Sequence, residues 1–430
     1  LENAQRADVA VVGAGLTGVW TALFLKSLDP SAEVVVVEQG VAAYGASGRN
    51  AGMLSETVDH SHGLAIQHFG EAEARRLADL GERNVAEMLA FLADRKIACD
   101  YEPTGRLMAA LTPAHLEEAR RTVGTAHRLG LASFRELDRE AIRAEVNSPL
   151  YLGGVWVTGG GILDPVKLVD GLRTEAERLG VRVYERSRVE AVEPAGAGVR
   201  LRSARGSVEA RRAVLATSAY PHHLVPGVVH RFIPLYDYIL VSDPLTAAQR
   251  DAIGWRRRQG VSDARTFFNY YRLTADDRIL WGTSEAAYYA GNRVDASCDH
   301  SPEHYRALRA SFRRHFPALA GLEFPYAWGG AICSTTRLTP FFGQALGGRV
   351  MYGLGYTGHG LGTTRLAGRI LAHMALDRPG ELLDLALARR APFPYPPEPL
   401  RSWAVGMVTR GLRRVDEGQR PSLMLRALDR

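Results

Sequence analysis

Residues 8–18 read DVAVVGAGLTG, and the fold turns on them. Val9 to Val12 is a short apolar run suited to a buried strand. The glycines that follow stand as Gly13-x-Gly15-x-x-Gly18, with Leu16 and Thr17 between the last two. Residues 19–28, VWTALFLKSL, read as an apolar helix, DPSA as a turn, and residues 33–37 as a second buried strand that ends at Glu38 and Gln39. Strand, glycine turn, helix and strand in this order make a β-α-β unit with parallel strands. Each glycine has its own physical reason. Gly13 permits the tight turn, Gly15 lets a pyrophosphate approach the backbone, and Gly18 lets the helix pack close to the sheet. The helix start offers N–H groups and a positive dipole end to phosphate. Glu38 suits a ribose diol and repels a 2′-phosphate. The unit calls for an ADP moiety and leaves FAD and NAD both open.

Two further stretches narrow the choice. Residues 45–52, GASGRNAG, follow the second strand with Ala46, Ser47, Gly48, Arg49, Asn50, Ala51 and Gly52. Arg49 is a fork of donors suited to pyrophosphate, a carboxylate or an anionic ring; a solvated loop arginine is the plain alternative. At the other end of the chain, VMYGLGYTGHGLGTTRLAGRI (350–370) repeats the order strand, glycine loop, helix. Its helix is expected to start near Gly362 or Thr363.

The composition sets the class. The chain has 430 residues, 46% of them hydrophobic and 23% charged, enough for a large core and two domains. Fifty-three basic against forty-seven acidic residues leave a net charge of +6, a mild excess that suits an anionic cofactor. No basic run interleaved with aromatics points to nucleic acid. Cys99, Cys298 and Cys333 are scattered and odd in number, so neither a disulfide framework nor a metal cluster is expected. A reducing, cytoplasmic setting is the default. The N-terminal residues read as strand and turn rather than a leader. No uninterrupted apolar window is long enough for a transmembrane helix.

Helical composition covers 72–98, 113–145, 165–179 (opened by Asp164 and Pro165) and 303–315. Residues 228–300 are β-rich and aromatic. APFPYPPEP (391–399) reads as a strap, and 401–415 as a basic amphipathic helix.

Four stretches now act together: VVGAGLTGVWTALFL with Glu38, GASGRNAGM, WGGAICSTTRLTPFFG (328–343) and GYTGHGLGTTRLAGRIL (355–371). In this order they resemble the FAD-dependent amine and amino-acid oxidases of the D-amino-acid oxidase superfamily, a group that includes sarcosine oxidase, glycine oxidase and gamma-glutamylputrescine oxidase. The resemblance implies an α/β fold. A Rossmann-type FAD-binding domain would be discontinuous over 1–80, 150–225 and 325–385. A mixed α+β substrate domain would be inserted over 81–149 and 226–324. The strap and C-terminal helix would occupy 386–430. One FAD would use both glycine loops, its ADP end on the first and its ring against Gly355, Gly358, His359, Gly360, Leu361 and Gly362. A helix N-terminus there would stabilise the negative edge of the reduced ring. By the same resemblance, Ala46 to Gly52 would run along the pyrophosphate and under the ring. The Val189 backbone would read adenine, and Thr217 would close over the dinucleotide. Gly330 and Cys333 would lie near the ring, Cys333 either as a covalent anchor or as a buried inert thiol.

The activity implied is oxidation of a C–N bond in a small amine or amino acid. Hydride would pass to flavin N5, the imine would hydrolyse, and O2 would reoxidise the flavin to give H2O2. A dehydrogenase of the same fold serving a quinone or carrier protein, and a flavin-binding subunit without turnover, stand as rivals. Oligomeric state is left open. On the substrate side LYDYIL supplies Tyr236, Asp237 and Tyr238, and TFFNYYRLT supplies Phe268, Tyr270, Tyr271 and Arg272. Alternation puts Tyr270 and Arg272 on one face. Arg272 suits a substrate carboxylate and Asp237 an ammonium, although strand tyrosines more often serve sheet packing. His359 can bond the ring or its own loop. Arg272, Tyr270 and His359 are the candidates for contact with the reacting molecule.

Overall fold

The computed structural model describes residues 1–220 and 224–419. The last residues of the 386–430 segment, and 221–223, lie outside that description. The chain divides into two units: Leu1–Asp100, Leu163–Ile233 and Ile332–Tyr395 form the first, and Tyr101–Ile162, Pro234–Ala331 and Pro396–Arg430 the second.

The first unit is built on a sheet ordered Phe341–Ala345, Val350–Leu354, Gly206–Leu215, Asn3–Val12, Val34–Val37, Arg182–Tyr184. All neighbours after the first pair run parallel. Every residue of Val34–Val37 is buried, as a parallel strand covered on both faces requires. A hairpin, Val189–Ala195 with Gly198–Ser203, adds antiparallel to Gly206–Leu215. The opening strand begins at Asn3, earlier than its apolar run, because Asn3 to Ala7 pair with Gly206 to Ala210. On one face the first helix (Leu16–Leu28) lies against the closing helix (Gly360–Ala375). A Cβ at Gly368 would sit 2.7 Å from Trp20 Cβ and 2.8 Å from the Thr21 nitrogen. Glycine is what allows this crossing.

The second unit is a largely antiparallel sheet ordered Tyr326–Ser334, Ile233–Pro244, Arg278–Ala287, Asn269–Leu273, Gly260–Asp263, Arg106–Ala110, Gly153–Val157, Phe134–Leu137. One face carries an aromatic core. Tyr271 stacks on Trp281 at 4.2 Å, and Trp281 meets Phe312 edge-on at 5.3 Å from the helix Pro302–His315. Beside it Asp263 takes two hydrogen bonds from the Arg265 guanidinium, at 2.9 and 2.7 Å, and one each from the Arg265 and Asn269 backbone nitrogens. Burial opposes its ionisation, but the nearby His315 ring, with Nε2 3.6 Å away, and the Arg265 guanidinium outweigh that and hold the carboxyl at about 2.

The helical stretch expected over 113–145 is broken. Helices Pro113–Arg128 and Arg139–Glu145 flank a strand, Phe134–Leu137, which pairs antiparallel with Gly153–Val157. Local composition there favours helix, and the edge of the sheet overrides it. Asp164 caps its helix as expected, accepting from the Val166 and Lys167 nitrogens. No helix among the described residues is long and apolar enough to cross a membrane.

Gly368→Ala should force the first and closing helices apart. The expected cost is about 1–3 kcal/mol of overpacking, read as a lowered unfolding midpoint. A midpoint equal to wild type would show that the crossing has slack.

Candidate functional site

The first glycine loop is held by backbone contacts that leave no room for side chains. Gly13, at φ 105°, donates to the Val37 carbonyl at 2.8 Å, and a Cβ there would lie 2.7 Å from the Ala216 carbonyl oxygen. A Cβ at Gly18 would lie 1.9 Å from the Gly13 carbonyl oxygen, so helix and loop touch backbone to backbone. At Gly15 the nearest atom to a Cβ would be Ser47 Oγ, at 2.7 Å. Ser47 Oγ accepts from the Leu16 nitrogen at 2.9 Å. Glu38 is buried with its two oxygens split: Oε2 accepts from Ala14 N at 2.9 Å and Oε1 from Gly40 N at 2.8 Å. Each oxygen keeps a lone pair for a further donor.

GASGRNAG is tighter than a plain loop. Ala46–Arg49 is one turn of helix. Asn50 staples it, donating to the Ala46 and Ser47 carbonyls at 3.0 and 2.8 Å and accepting from Gly52 N at 2.8 Å. Gly48 is required there, since a Cβ would lie 2.4 Å from the Ala43 carbonyl oxygen. Ala51 is buried. Arg49 donates to the Tyr44 carbonyl at 2.9 Å, with its guanidinium 4.7 Å over the Tyr44 ring. Gln39 is exposed.

The second loop lies in the same unit. Gly355 and Gly358 have φ of 89° and 82°, a region closed to most side chains. The closing helix starts at Gly360, two residues earlier than expected, with His359 as its N-cap. Thr17 of the first loop donates to the Tyr356 hydroxyl of the second at 2.9 Å. The two loops separated by most of the sequence are therefore bonded side chain to side chain. His359 Nδ1 bonds the Thr357 carbonyl at 3.2 Å, and its ring meets His60 edge-on at 4.6 Å. Leu361 is buried, and a Cβ at Gly362 would come within 3.0 Å of the Ser55 carbonyl oxygen. Cys333 is buried, its thiol pushed far up by that burial, and its carbonyl accepts from Thr357 N. Val189 sits in the apolar cluster with Val37 and Leu215. Thr217 Oγ1 is buried with no partner among the described residues.

This set fits a dinucleotide. Backbone lies open where phosphate must approach, a carboxylate is placed after the second strand, and a buried hydroxyl lacks a partner. Both loop helices also start without a side-chain cap and without an acidic residue in the first turn. The other long helices of this unit are capped by Ser61 or Asp164, or carry Glu71 and Glu73 in the first turn. An uncapped start keeps its N–H groups for an anion.

In the second unit Tyr270 and Arg272 lie on the strand Asn269–Leu273, on the face away from Tyr271. Tyr270 donates to Asp237 Oδ2 at 2.6 Å. Arg272 is buried and donates to the Leu273 carbonyl at 3.3 Å. Gly330 lies on the strand Tyr326–Ser334. No group of three or more His, Cys, Asp or Glu among the described residues has metal-site geometry.

Sequence reasoning passed over the strip Ser55–His60. Asn84 and the strip bracket the closing helix: Asn84 donates to the Gly362 carbonyl at 2.9 Å, and Thr363 donates to the Val58 carbonyl at 3.2 Å. Both carboxylate oxygens of Glu56 and of Asp59, and His60 Nδ1, are buried without hydrogen-bond partners among the described residues. The signal was available: ETVDH places three ionisable residues directly behind GASGRNAGM. Burial raises Asp59 to about 7 and lowers His60. The sign follows. A carboxyl raised from about 4 in the unfolded chain to about 7 when folded favours the protonated native state, so its contribution is complete below pH 4 and lost as pH rises through 7. Asp59→Asn, neutral throughout, should match wild-type apoprotein at pH 4. It should gain on wild type between pH 4 and 7 by about 1.4 kcal/mol per unit at most. Coincident melting curves at pH 8 would overturn this.

Comparison with known proteins is consistent with these loops. The family model described as FAD dependent oxidoreductase (DAO) matches residues 8–374. The chain is 32% identical over 399 residues to gamma-glutamylputrescine oxidoreductase of Escherichia coli K12, covering 92% of this chain and 89% of that one. It is 27% identical over 381 residues to the probable oxidoreductase OrdL of Haemophilus influenzae, covering 87% and 84%. In fold it is similar to glycine oxidase from Geobacillus kaustophilus, with a TM-score of 0.74 at 19% identity over 90% of this chain and 99% of that one. The chain belongs to the DAO family of FAD-dependent oxidoreductases, and it is an enzyme of the α/β class whose cofactor is FAD.

Proposed function

We propose that the enzyme oxidises a C–N bond of a small amine or amino acid and passes the electrons to O2. The observation that carries this reading is the Thr17–Tyr356 hydrogen bond, which holds two uncapped helix starts in one unit. A single long dinucleotide has use for both. The relative from E. coli is named for gamma-glutamylputrescine, an amine, and the similar fold from Geobacillus for glycine. When bound, FAD supplies a hydride acceptor at N5 and then passes the electron pair to O2, giving H2O2.

The chain's own groups do the rest. Gly13, Gly15, Leu16, Thr17 and Gly18 would receive the pyrophosphate, Glu38 the ribose diol, and the Val189 backbone the adenine. Ala46 to Gly52 would line the middle of the cofactor, with Asn50 fixing that turn and Arg49 able to leave Tyr44 for an anion. Thr217 would close over the nucleotide. Gly355 to Gly362 would meet the ring, and the first turn of the closing helix would stabilise negative charge on it. Cys333, held as a neutral buried thiol, is read as packing rather than attachment. Tyr270 and Arg272 would face the substrate. A cytoplasmic setting suits buried thiols at Cys298 and Cys333.

The test is spectroscopic. The purified protein should show a flavin spectrum, release the dye on acid precipitation, bleach anaerobically with an amine, and recover in air with H2O2 formed. A flavin that bleaches but consumes no O2, and reduces a quinone instead, would make it a dehydrogenase. A flavin that no amine or amino acid bleaches would overturn the reading. Glu38→Ala should weaken FAD binding to the apoprotein by about 10–100-fold, the loss of hydrogen bonds to a charged group. Unchanged affinity in a fluorescence titration would remove Glu38 from the nucleotide site.

A further inference from the structure

We infer that Asp237 and Tyr270 form a binding site for an alkylammonium group, the cationic head of the amine substrate. The inference rests on the amine reading above and names what would select that substrate. The register of three adjacent strands brings the pair together. Tyr270 stands opposite Gly282, and Gly282 stands opposite Ile239 on the next strand. Alternation turns this row away from the aromatic core, where Tyr271 and Trp281 point. A Cβ at Gly282 would lie 2.3 Å from the Tyr270 ring, so the ring lies flat across the glycine and carries its hydroxyl over to the next strand but one. There it donates to Asp237 Oδ2 at 2.6 Å. The ladder shifts register between Tyr236 and Tyr238, and Asp237 sits at that shift. Its other oxygen accepts from the Tyr238 nitrogen at 2.8 Å.

The chemistry of the pair is unfinished. A carboxylate has about four acceptor positions, and Asp237 uses two, both with neutral donors. Among the described residues no cation pairs with it. Burial pushes the carboxyl up to about 7, against the hydrogen bonds from Tyr270 and the Tyr238 amide. Burial, followed by the neighbouring Asp237, holds the Tyr270 phenol far above its ordinary range, so it stays a donor. Asp263, on the same sheet, shows what a structural carboxylate receives in this fold: Arg265, His315 and a backbone amide. Asp237 has no such set. Protein encloses it, yet Asp237 and Tyr270 each keep part of their surface open to solvent-sized space. A carboxylate enclosed without a cation is unfavourable, and a ligand that brings the cation removes that penalty. An alkylammonium has the right sign, donors for the two open positions, and an apolar tail that Phe268 can cover, its ring 6.3 Å from that of Tyr270. The Tyr270 ring face adds a cation–π contact. Anions are repelled, and an alcohol of the same size supplies one donor and no charge.

The experiment uses the FAD-loaded full chain as wild type, Asp237→Asn and Tyr270→Phe. The probes are n-butylamine, 1,4-diaminobutane and the neutral 1-pentanol. Thermal shift and anaerobic bleaching of the flavin are both read. The amines should raise the melting temperature of wild type and 1-pentanol should not. Asp237→Asn, which keeps an acceptor for Tyr270, should lose that shift and raise KM for amines at least tenfold, with kcat less affected. Tyr270→Phe should do the same more weakly. A purely structural pair would lower the melting temperature of the unliganded variants and leave the amine-induced shift and KM as in wild type; that result overturns the inference while the oxidase reading stands. If no amine bleaches wild type but the Asp237-dependent shift is present, the site stands and the proposed reaction fails. No shift with either amine in wild type overturns the site.

Discussion

Backbone-to-backbone approach at Gly18 governs much of the first unit. With a Cβ-to-oxygen separation of only 1.9 Å available, the first helix can leave the opening strand only where it does. That angle carries Thr17 to Tyr356 and lays Trp20 and Thr21 against Gly368 of the closing helix. The second glycine loop is thus positioned from the first. The chain needs glycines at both ends because one compact unit presents both loops. A side chain at either contact would move one loop relative to the other, and small displacements weigh heavily where a cofactor must touch backbone.

The distribution of buried charge separates scaffold from site. Asp263 is buried and fully served, with Arg265, His315 and a backbone amide, and sits low at about 2. Arg365 donates through Nη1 to Asn84 and Glu87, while Asn84 holds the Gly362 carbonyl. Asp59 and Asp237 break the pattern. One lacks hydrogen-bond partners among the described residues and the other has only neutral donors; burial raises both to about 7. Glu56 departs from it too, both its oxygens buried without partners among the described residues; beside a carboxylate served as Asp263 is, these exceptions are informative.

The glycine loops were legible because their requirement is local. A positive φ or a close backbone approach at Gly13, Gly18 or Gly355 must be met by glycine wherever the rest of the chain goes. Asp164 as a cap was legible for the same reason. The strand Phe134–Leu137 was not, because its partner Gly153–Val157 comes later and only the sheet edge decides between strand and helix. Asp237 and Tyr270 were visible as residues, but their bond was not. It depends on a register shift at Asp237 and on the absence of a side chain at Gly282 in the strand between them. Asn50, expected as a cofactor contact, is the staple of its own turn. The strip Ser55–His60 was passed over: its ionisable residues stand behind GASGRNAGM in the sequence, but its bond to Thr363 comes from the other end of the chain.

The uncapped helix starts bear on why this unit waits for an anion. A capped helix has already given its first-turn N–H groups an oxygen, as Ser61 and Asp164 do here. At Leu16 one such group is taken by Ser47, a residue of the turn proposed to line the cofactor. At Gly360 the N-cap is His359, whose Nδ1 is turned to the Thr357 carbonyl rather than to the helix. Capping either helix with its own side chain would stabilise it by about 1 kcal/mol. The chain forgoes that at these two positions in the unit, where the dipole and the open N–H groups can act on phosphate at one end and on a charged ring edge at the other.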